Sequence, residues 1–260
     1  MTPVEYVLLD PSGNRTALVT SWGGPEEEGE ITRRLLEKSE QVAYLEEASL
    51  PGAAARVRLM GGDFCGNAAM AAAGWLIRDE IREDRETAVP LEVSGAEGIV
   101  LCRVRGRAEC FEGTVSLPPP LEIREMALDG EKLTLVRMQG IVHLIRESGR
   151  PLEKERAEAL LRHLAETLPD DAAGLMDRNP ETGMMRPLVY VRGSGSMVWE
   201  TACGSGSAAV GALEASRRGG GETLTRVIQP GGTIRVTAFA ENGRVTDVSI
   251  TGIVKIVEEE

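Results

Sequence analysis

Two cysteines, one in each half of the chain, open stretches made almost wholly of glycine, alanine and serine: Cys65-Gly66-Asn67-Ala68-Ala69-Met70 and Cys203-Gly204-Ser205-Gly206-Ser207-Ala208-Ala209. A helix built of such small residues carries no broad apolar stripe, and it can be wrapped by sheet on every side. One such helix in each half points to a duplicated fold of two sheets, each packed around its own central helix. Each cysteine stands where the first turn leaves backbone N–H groups unpaired and where the positive end of the macrodipole lies. That setting predicts thiolates whose pKa falls toward neutrality. Two of them facing one substrate could take a proton with one sulfur and give a proton with the other.

The chain of 260 residues is long enough for one large domain or two smaller ones, and neither needs covalent staples. A formal charge of −12 argues against nucleic acid or an anionic membrane, either of which would need a basic patch, so the expected partner is a small molecule. Four cysteines are too few for a disulfide scaffold, and the opening Met1-Thr2-Pro3-Val4-Glu5-Tyr6 lacks the basic and apolar regions of a secretory signal. A cytoplasmic protein is the expectation. The small-apolar run from Ala68 to Ile77 is far shorter than the roughly 20 residues of a spanning helix, so no membrane segment is predicted.

Read for periodicity, the first half predicts strands at 4–9, 16–20, 42–45 and 56–60, an amphipathic helix over 30–41 and the Cys65 helix over 66–82. Strands at 91–94, 99–104 and 113–117 come next, and Pro118-Pro119-Pro120 stiffens the chain as a linker would. The second half repeats the plan: strands at 133–138 and 141–145, a charged helix over 153–168, strands at 188–191 and 197–199, and the Cys203 helix to about Arg217. Arg217-Arg218-Gly219-Gly220-Gly221 reads as a helix stop and flexible loop. Gln229-Pro230-Gly231-Gly232 turns into strands at 233–238 and 245–257. The predicted class is therefore α+β, in two pseudo-symmetric halves that are each a β-barrel-like sheet around a central helix. The first comprises residues 1–118 joined by the C-terminal strand 245–260, the second residues 119–244.

Other residue types narrow the chemistry. Cys102 and Cys110 lie in predicted strands with no CxxC spacing and no nearby histidine, so they read as structural and zinc is not expected. His143, between Val142 and Leu144, reads as a satisfied strand residue, and His163 as a solvated helix residue. Two histidines in such settings do not supply a partner base for two nucleophilic thiols. The four lysines, Lys38, Lys132, Lys154 and Lys255, sit in charged helical or terminal surroundings that do not suit a pyridoxal Schiff base. No cofactor and no metal are predicted.

These residues also carry a family resemblance. The Cys-Gly-Asn and Ala-Cys-Gly-Ser-Gly helix starts, Gly13-Asn14 and Pro230-Gly231-Gly232 resemble the diaminopimelate epimerase superfamily of cofactor-independent racemases over nearly the whole chain. Within it the wording is most similar to the histidine racemases of opine-type (staphylopine-like) metallophore biosynthesis. The blocks are Pro11-Ser12-Gly13-Asn14, Glu40-Gln41-Val42, Phe64-Cys65-Gly66-Asn67-Ala68, Pro187-Leu188-Val189-Tyr190, Trp199-Glu200 before Cys203-Gly204-Ser205-Gly206, and Gln229-Pro230-Gly231-Gly232. The resemblance implies a diaminopimelate epimerase-like fold with the substrate held between the halves. It makes Cys65 and Cys203 the acid/base pair. It gives Asn14, Gln41 and Asn67 the amino acid's polar groups, the amides of Gly66, Gly204 and Ser205 its carboxylate, and Glu40 its imidazole.

The chain also departs from the superfamily. Diaminopimelate epimerases carry a Glu-Arg pair where this chain has Gly193-Ser194-Gly195-Ser196, their Asn-Pro-His element is Ile141-Val142-His143 here, and Gly62-Asp63 stands where histidine racemases tend to have Asn-Glu. The expected reaction is inversion at Cα of L-histidine to D-histidine by thiolate and thiol, without pyridoxal phosphate. The rivals are a diaminopimelate epimerase or another racemase of the superfamily and, from other classes, a non-catalytic amino-acid binding protein or a thiol-redox protein. The expected partner is a small-molecule amino-acid substrate, with no nucleic acid or membrane, and a homodimer is left open.

Overall fold

The computed structural model describes residues 3–193 and 195–259. It divides into two compact units, Met1–Ser116 with Thr251–Glu260, and Leu117–Ile250.

The first unit holds β1 (Glu5–Pro11), β2 (Thr16–Ser21), α1 (Glu28–Leu35), β3 (Gln41–Glu46), β4 (Ala55–Leu59), α2 (Gly66–Leu76), β5 (Thr87–Val93), β6 (Ile99–Arg107) and β7 (Cys110–Leu117). Its last strand is the end of β16 (Arg244–Glu259), which lies beside β7 and pairs back onto β1, so eight strands close into a barrel. Closure leaves no strand edge unpaired. Two neighbouring pairs are parallel, β2 with β3 and β4 with β5, and each needs a crossover. Helix α1 makes the first, burying Ile31 and Leu35 at i, i+4 spacing. Helix α2 makes the second.

Nine of the eleven residues of α2 are buried, from Gly66 through Gly74, and it packs against β1, β2, β4, β5 and β6. Small side chains permit this enclosure: a Cβ on Gly74 would overlap the ring of Phe111, and one on Gly113 of β7 would come within 2.8 Å of Met70 Cβ. The helix is shorter than its sequence suggests. It stops at Leu76, and a single 3-10 turn, Arg78–Glu80, carries the chain on to Ile81.

The second unit contains β8 (Glu122–Leu128), β9 (Glu131–Met138), β10 (Ile141–Glu147), α3 (Lys154–Thr167), β11 (Ala172–Arg178), β12 (Met185–Val191) and β13 (Ser196–Trp199), arranged in the sheet order β13-β12-β11-β10-β9-β8. Helix α3 crosses between parallel β10 and β11 and buries Leu160, Leu161 and Leu164 on Leu135, Leu144 and Leu175. Helix α4 (Gly204–Arg218) then packs on β14 (Gly221–Gln229) and β15 (Gly232–Glu241) and touches β9 and β10. The start of β16 lies against β15.

This half departs from the expected barrel. Beyond an isolated bridge between Met184 and Ile228, no strand pairing among the described residues joins the six-stranded sheet to β14. Strand β13 ends after four residues and the chain leaves for α4. The structure also adds three strands. β8 alternates half-buried and exposed residues without a run of β-branched side chains. β11 ends in the buried ions Asp177 and Arg178, with Asp177 accepting from Arg146, Arg186 and the Leu152 amide. β14 begins at Gly221, where a flexible loop is expected. The helix stop itself matches the expectation, since Gly219 takes φ 86° and returns its N–H to Ala215 and Ser216. No helix among the described residues is long and apolar enough to cross a membrane.

Candidate active site

In the first unit Cys65 is the N-cap of α2, with extended backbone (φ −135°, ψ 112°), and its carbonyl accepts the Ala69 N–H at 3.0 Å. Gly66 and Asn67 are the first helical residues, buried with the rest of the turn. Asn67 is only 2% exposed, yet its Oδ1 has no hydrogen-bond partner. An unsatisfied buried amide oxygen is costly in a finished core, so it marks a place where an incoming donor is stabilising.

Asn14, Glu40 and Gln41 form one connected cluster. Parallel pairing sets Thr16 opposite Gln41, which brings the β1–β2 turn beside the start of β3. Gln41 Nε2 donates to Asn14 Oδ1 at 2.6 Å and to Thr16 Oγ1 at 2.7 Å, and Asn14 Nδ2 donates to Glu40 Oε2 at 3.1 Å. The order has a direction. An ionised carboxylate only accepts, so Asn14 must turn its NH2 toward Glu40 and its oxygen toward Gln41. Gln41 then commits both amide hydrogens to this cluster, and the polar atom it can offer a ligand is its carbonyl oxygen. Glu40 is exposed, whereas a carboxylate buried against an imidazole is the sequence-based expectation. Its backbone N–H is fixed on Arg15 O at 2.8 Å, at the surface end of the strand.

In the second unit Cys203 repeats the first arrangement. It is the N-cap of α4 (φ −114°, ψ 112°), its carbonyl accepts Ser207 N–H at 3.0 Å, and Gly204 and Ser205 open the helix. Around it lies a denser polar shell. Gln229 Oε1 accepts the Cys203 N–H at 2.7 Å, and Gln229 Nε2 donates to Ser207 Oγ at 3.0 Å. Ser205 Oγ lies 3.6 Å from Cys203 Sγ and 3.1 Å from His143 Nε2.

The electrostatics of Cys203 run against the expectation of a lowered pKa. Burial pushes the thiol well above its ordinary value, and the charge and hydrogen bond of Glu200 add to that; the Gly206 amide and the Ser205 hydroxyl pull the other way but do not prevail. Desolvation of a thiolate beside a carboxylate outweighs a helix terminus that contributes about 1 kcal/mol. The surroundings of Cys203 therefore favour its thiol form, the form that can give a proton.

Gln229 and His143 carry no role in the sequence analysis, and Ser205, expected there for its amide, also brings its hydroxyl to the site. The side chains of Gln229 and His143 reach Cys203 or its neighbours across separations of 26 and 62 residues that no local motif reveals, although Gln229 stands in a quoted block. His143 is fully buried and neutral, its pKa depressed to about 3 by burial, and Nδ1 is without a partner, so it is not the satisfied residue expected. His163 is exposed and paired with Asp129 Oδ2 at 3.0 Å, which raises its pKa. Cys102 is a packed thiol whose pKa burial pushes up to about 12, whereas Cys110 is exposed on β7, so a packing role fits only the former. A cleft of about 420 Å³ near Ser148, Asn179, Arg178 and Arg186 contains none of the predicted residues, and its arginines are bound to Asp177, Glu147 and Glu214.

The chain is 27% identical over 265 residues to a histidine racemase of Fusobacterium nucleatum, covering 98% of this chain and 95% of that protein. It is 26% identical over 248 residues to a histidine racemase of Staphylococcus aureus, covering 90% and 88%. Solved structures share the fold at low identity. A probable proline racemase from Agrobacterium radiobacter superposes with TM-score 0.71 at 17% identity, covering 99% of this chain and 92% of that one. A hydroxyproline epimerase from Agrobacterium vitis gives 0.71 at 18%, covering 99% and 91%. The family model described as the histidine racemase CntK N-terminal domain matches residues 3–259, and the chain belongs to that family of isomerases.

Proposed function

We propose that the chain interconverts L- and D-histidine without a cofactor, with Cys65 and Cys203 serving opposite faces of Cα. The observation that carries the reading is the matched local geometry: two cysteines with the same extended N-cap backbone, each leading into a glycine and a buried first turn. On this reading each compact unit supplies one of the two cysteines.

The chemical difficulty is a weakly acidic Cα–H with no electron sink. As one sulfur takes the proton, the electron pair of the broken C–H bond moves toward the carboxylate, where the amides of Gly66, Gly204 and Ser205 would meet the growing charge. The other sulfur gives its proton to the opposite face, its S–H pair staying on sulfur. Burial and Glu200 hold the Cys203 thiol above its ordinary range, which suits it to giving a proton, and on this reading Cys65 takes the thiolate's part. Asn67 Oδ1 and the Gln41 carbonyl oxygen are acceptors suited to the substrate's ammonium group, and Glu40 is suited to its imidazole N–H. We further propose that D-histidine feeds an opine-type metallophore, that the enzyme works in the cytoplasm, and that sedimentation will decide between monomer and homodimer.

Glu40→Ala tests the substrate assignment. Removing a charged acceptor at an exposed position should lower kcat/KM for histidine about 10-fold while changing residual turnover of alanine or serine less than about 3-fold. Chiral chromatography over a panel of L-amino acids reads both numbers. Equal loss on all substrates would remove Glu40 from imidazole recognition, and a wild type indifferent to histidine would reject histidine as the substrate, either result leaving racemisation in place.

A further inference from the structure

Resting on the two-cysteine reading, we propose that His143 is a positioning residue for the second cysteine: its Nε2–H holds the Ser205 hydroxyl so that the hydroxyl proton points at Cys203 Sγ and stabilises the thiolate left when that sulfur gives up its proton.

A missing side chain in the sheet makes room for the ring. His143 on β10 pairs with Gly174 on parallel β11, and a Cβ there would overlap Nδ1, so the missing side chain of Gly174 is what leaves room for the ring. The ring is fully buried, with Nδ1 facing this contact and unpartnered, and Nε2 3.1 Å from Ser205 Oγ. A neutral imidazole carries one N–H. Placed on Nδ1, that hydrogen would be an orphaned buried donor; placed on Nε2, it is satisfied by Ser205, and only a lone pair stays bare, which is the lesser cost.

The tautomer fixes the rest of the chain. Ser205 Oγ accepts from His143, so its own hydrogen is available for the sulfur 3.6 Å away, while the Cys203 thiol hydrogen bonds to Glu200. All links then run in one sense, from His143 through Ser205 and Cys203 to Glu200. No proton passes through His143. The S–H bond of Cys203 breaks, the proton goes to Cα, the pair stays on sulfur, and the Ser205 O–H contact shortens toward the new charge.

The chain has only two histidines, so imidazole ¹⁵N spectra of labelled protein can be assigned with one further sample, His163→Asn. The expected result is His143 as a neutral Nε2–H tautomer that does not titrate between about pH 5 and 9, with Ser205→Ala shifting its Nε2 resonance. A neutral Nδ1–H tautomer, or a resonance that ignores Ser205→Ala, overturns the proposal without any turnover being measured. Kinetics give the second test. Ser205→Ala and His143→Leu should each lower kcat about 10- to 100-fold, the range for one hydrogen bond to a charged group, with KM within about 3-fold of wild type. The double variant should be no slower than the slower single, because His143 acts only through Ser205. His143→Gln, which keeps an N–H near the Nε2 position, should recover most of the loss. Additive losses, or a His143→Gln enzyme as slow as His143→Leu, would contradict it. If His143→Leu does not fold, Ser205→Ala and the spectra still decide. A Cys203→Ser enzyme of wild-type activity would instead reject the two-cysteine reading itself.

Discussion

Serine in place of Cys65 or Cys203 should lower histidine racemisation by at least about 10³-fold in both directions, because a serine hydroxyl is a far weaker base at neutral pH and a far weaker acid than a thiol. The loss must be shared by L-to-D and D-to-L turnover, since mirror-image substrate and product have equal free energy and the ratio of the two kcat/KM values is fixed at unity. The fold should survive. Both cysteines are helix N-caps, a position at which serine is among the preferred residues. Circular dichroism and melting close to wild type, together with collapsed turnover, are expected. A variant that kept near wild-type rates in both directions would remove that cysteine from the mechanism.

A second large effect concerns the enclosure of α2. Gly74→Ala would place a methyl group in the ring of Phe111, itself fully buried on β7, so either the helix shifts inside a closed barrel or the ring leaves its place. Overpacking of this kind should cost about 3 kcal/mol, or roughly 6–12 °C in melting temperature for a protein of this size. Gly29→Ala is the control. It lies on the exposed side of α1 with nothing near its added Cβ, and should be neutral or stabilising by about 0.5–1 kcal/mol. Thermal melts that placed the two variants side by side would show that α2 is not held by close contact.

How much of the fold and site the sequence reveals depends on the distance over which each feature is encoded. The two central helices are legible because their small residues are contiguous, and Cys65 and Cys203 stand out by the glycines, serines and alanines directly after them. Gly219 ends α4 by a local rule. Asn14, Thr16 and Gln41 join through the register of parallel β2 and β3, so their hydrogen bonds come from strand pairing and not from a motif. The same holds for His143 and Ser205, brought together only when α4 touches β10. The direction of the Cys203 pKa is hidden for a related reason: the helix terminus is visible locally, whereas the desolvation that outweighs it depends on the groups packed around the sulfur. The separation of the second unit's strands into two sheets, too, depends on pairings that the alternating pattern alone does not specify.

The most direct test of the central claim is the fate of the α-proton in deuterium oxide. With L-histidine and wild-type enzyme, followed by proton NMR and chiral separation at early conversion, the account predicts D-histidine carrying α-deuterium while the remaining L-histidine stays protiated. One thiolate removes the proton from one face, and a different, solvent-equilibrated thiol delivers deuterium to the other. Equal early labelling of both pools would point to a single base serving both faces, and D-histidine that kept the original α-proton would contradict the two-cysteine account altogether.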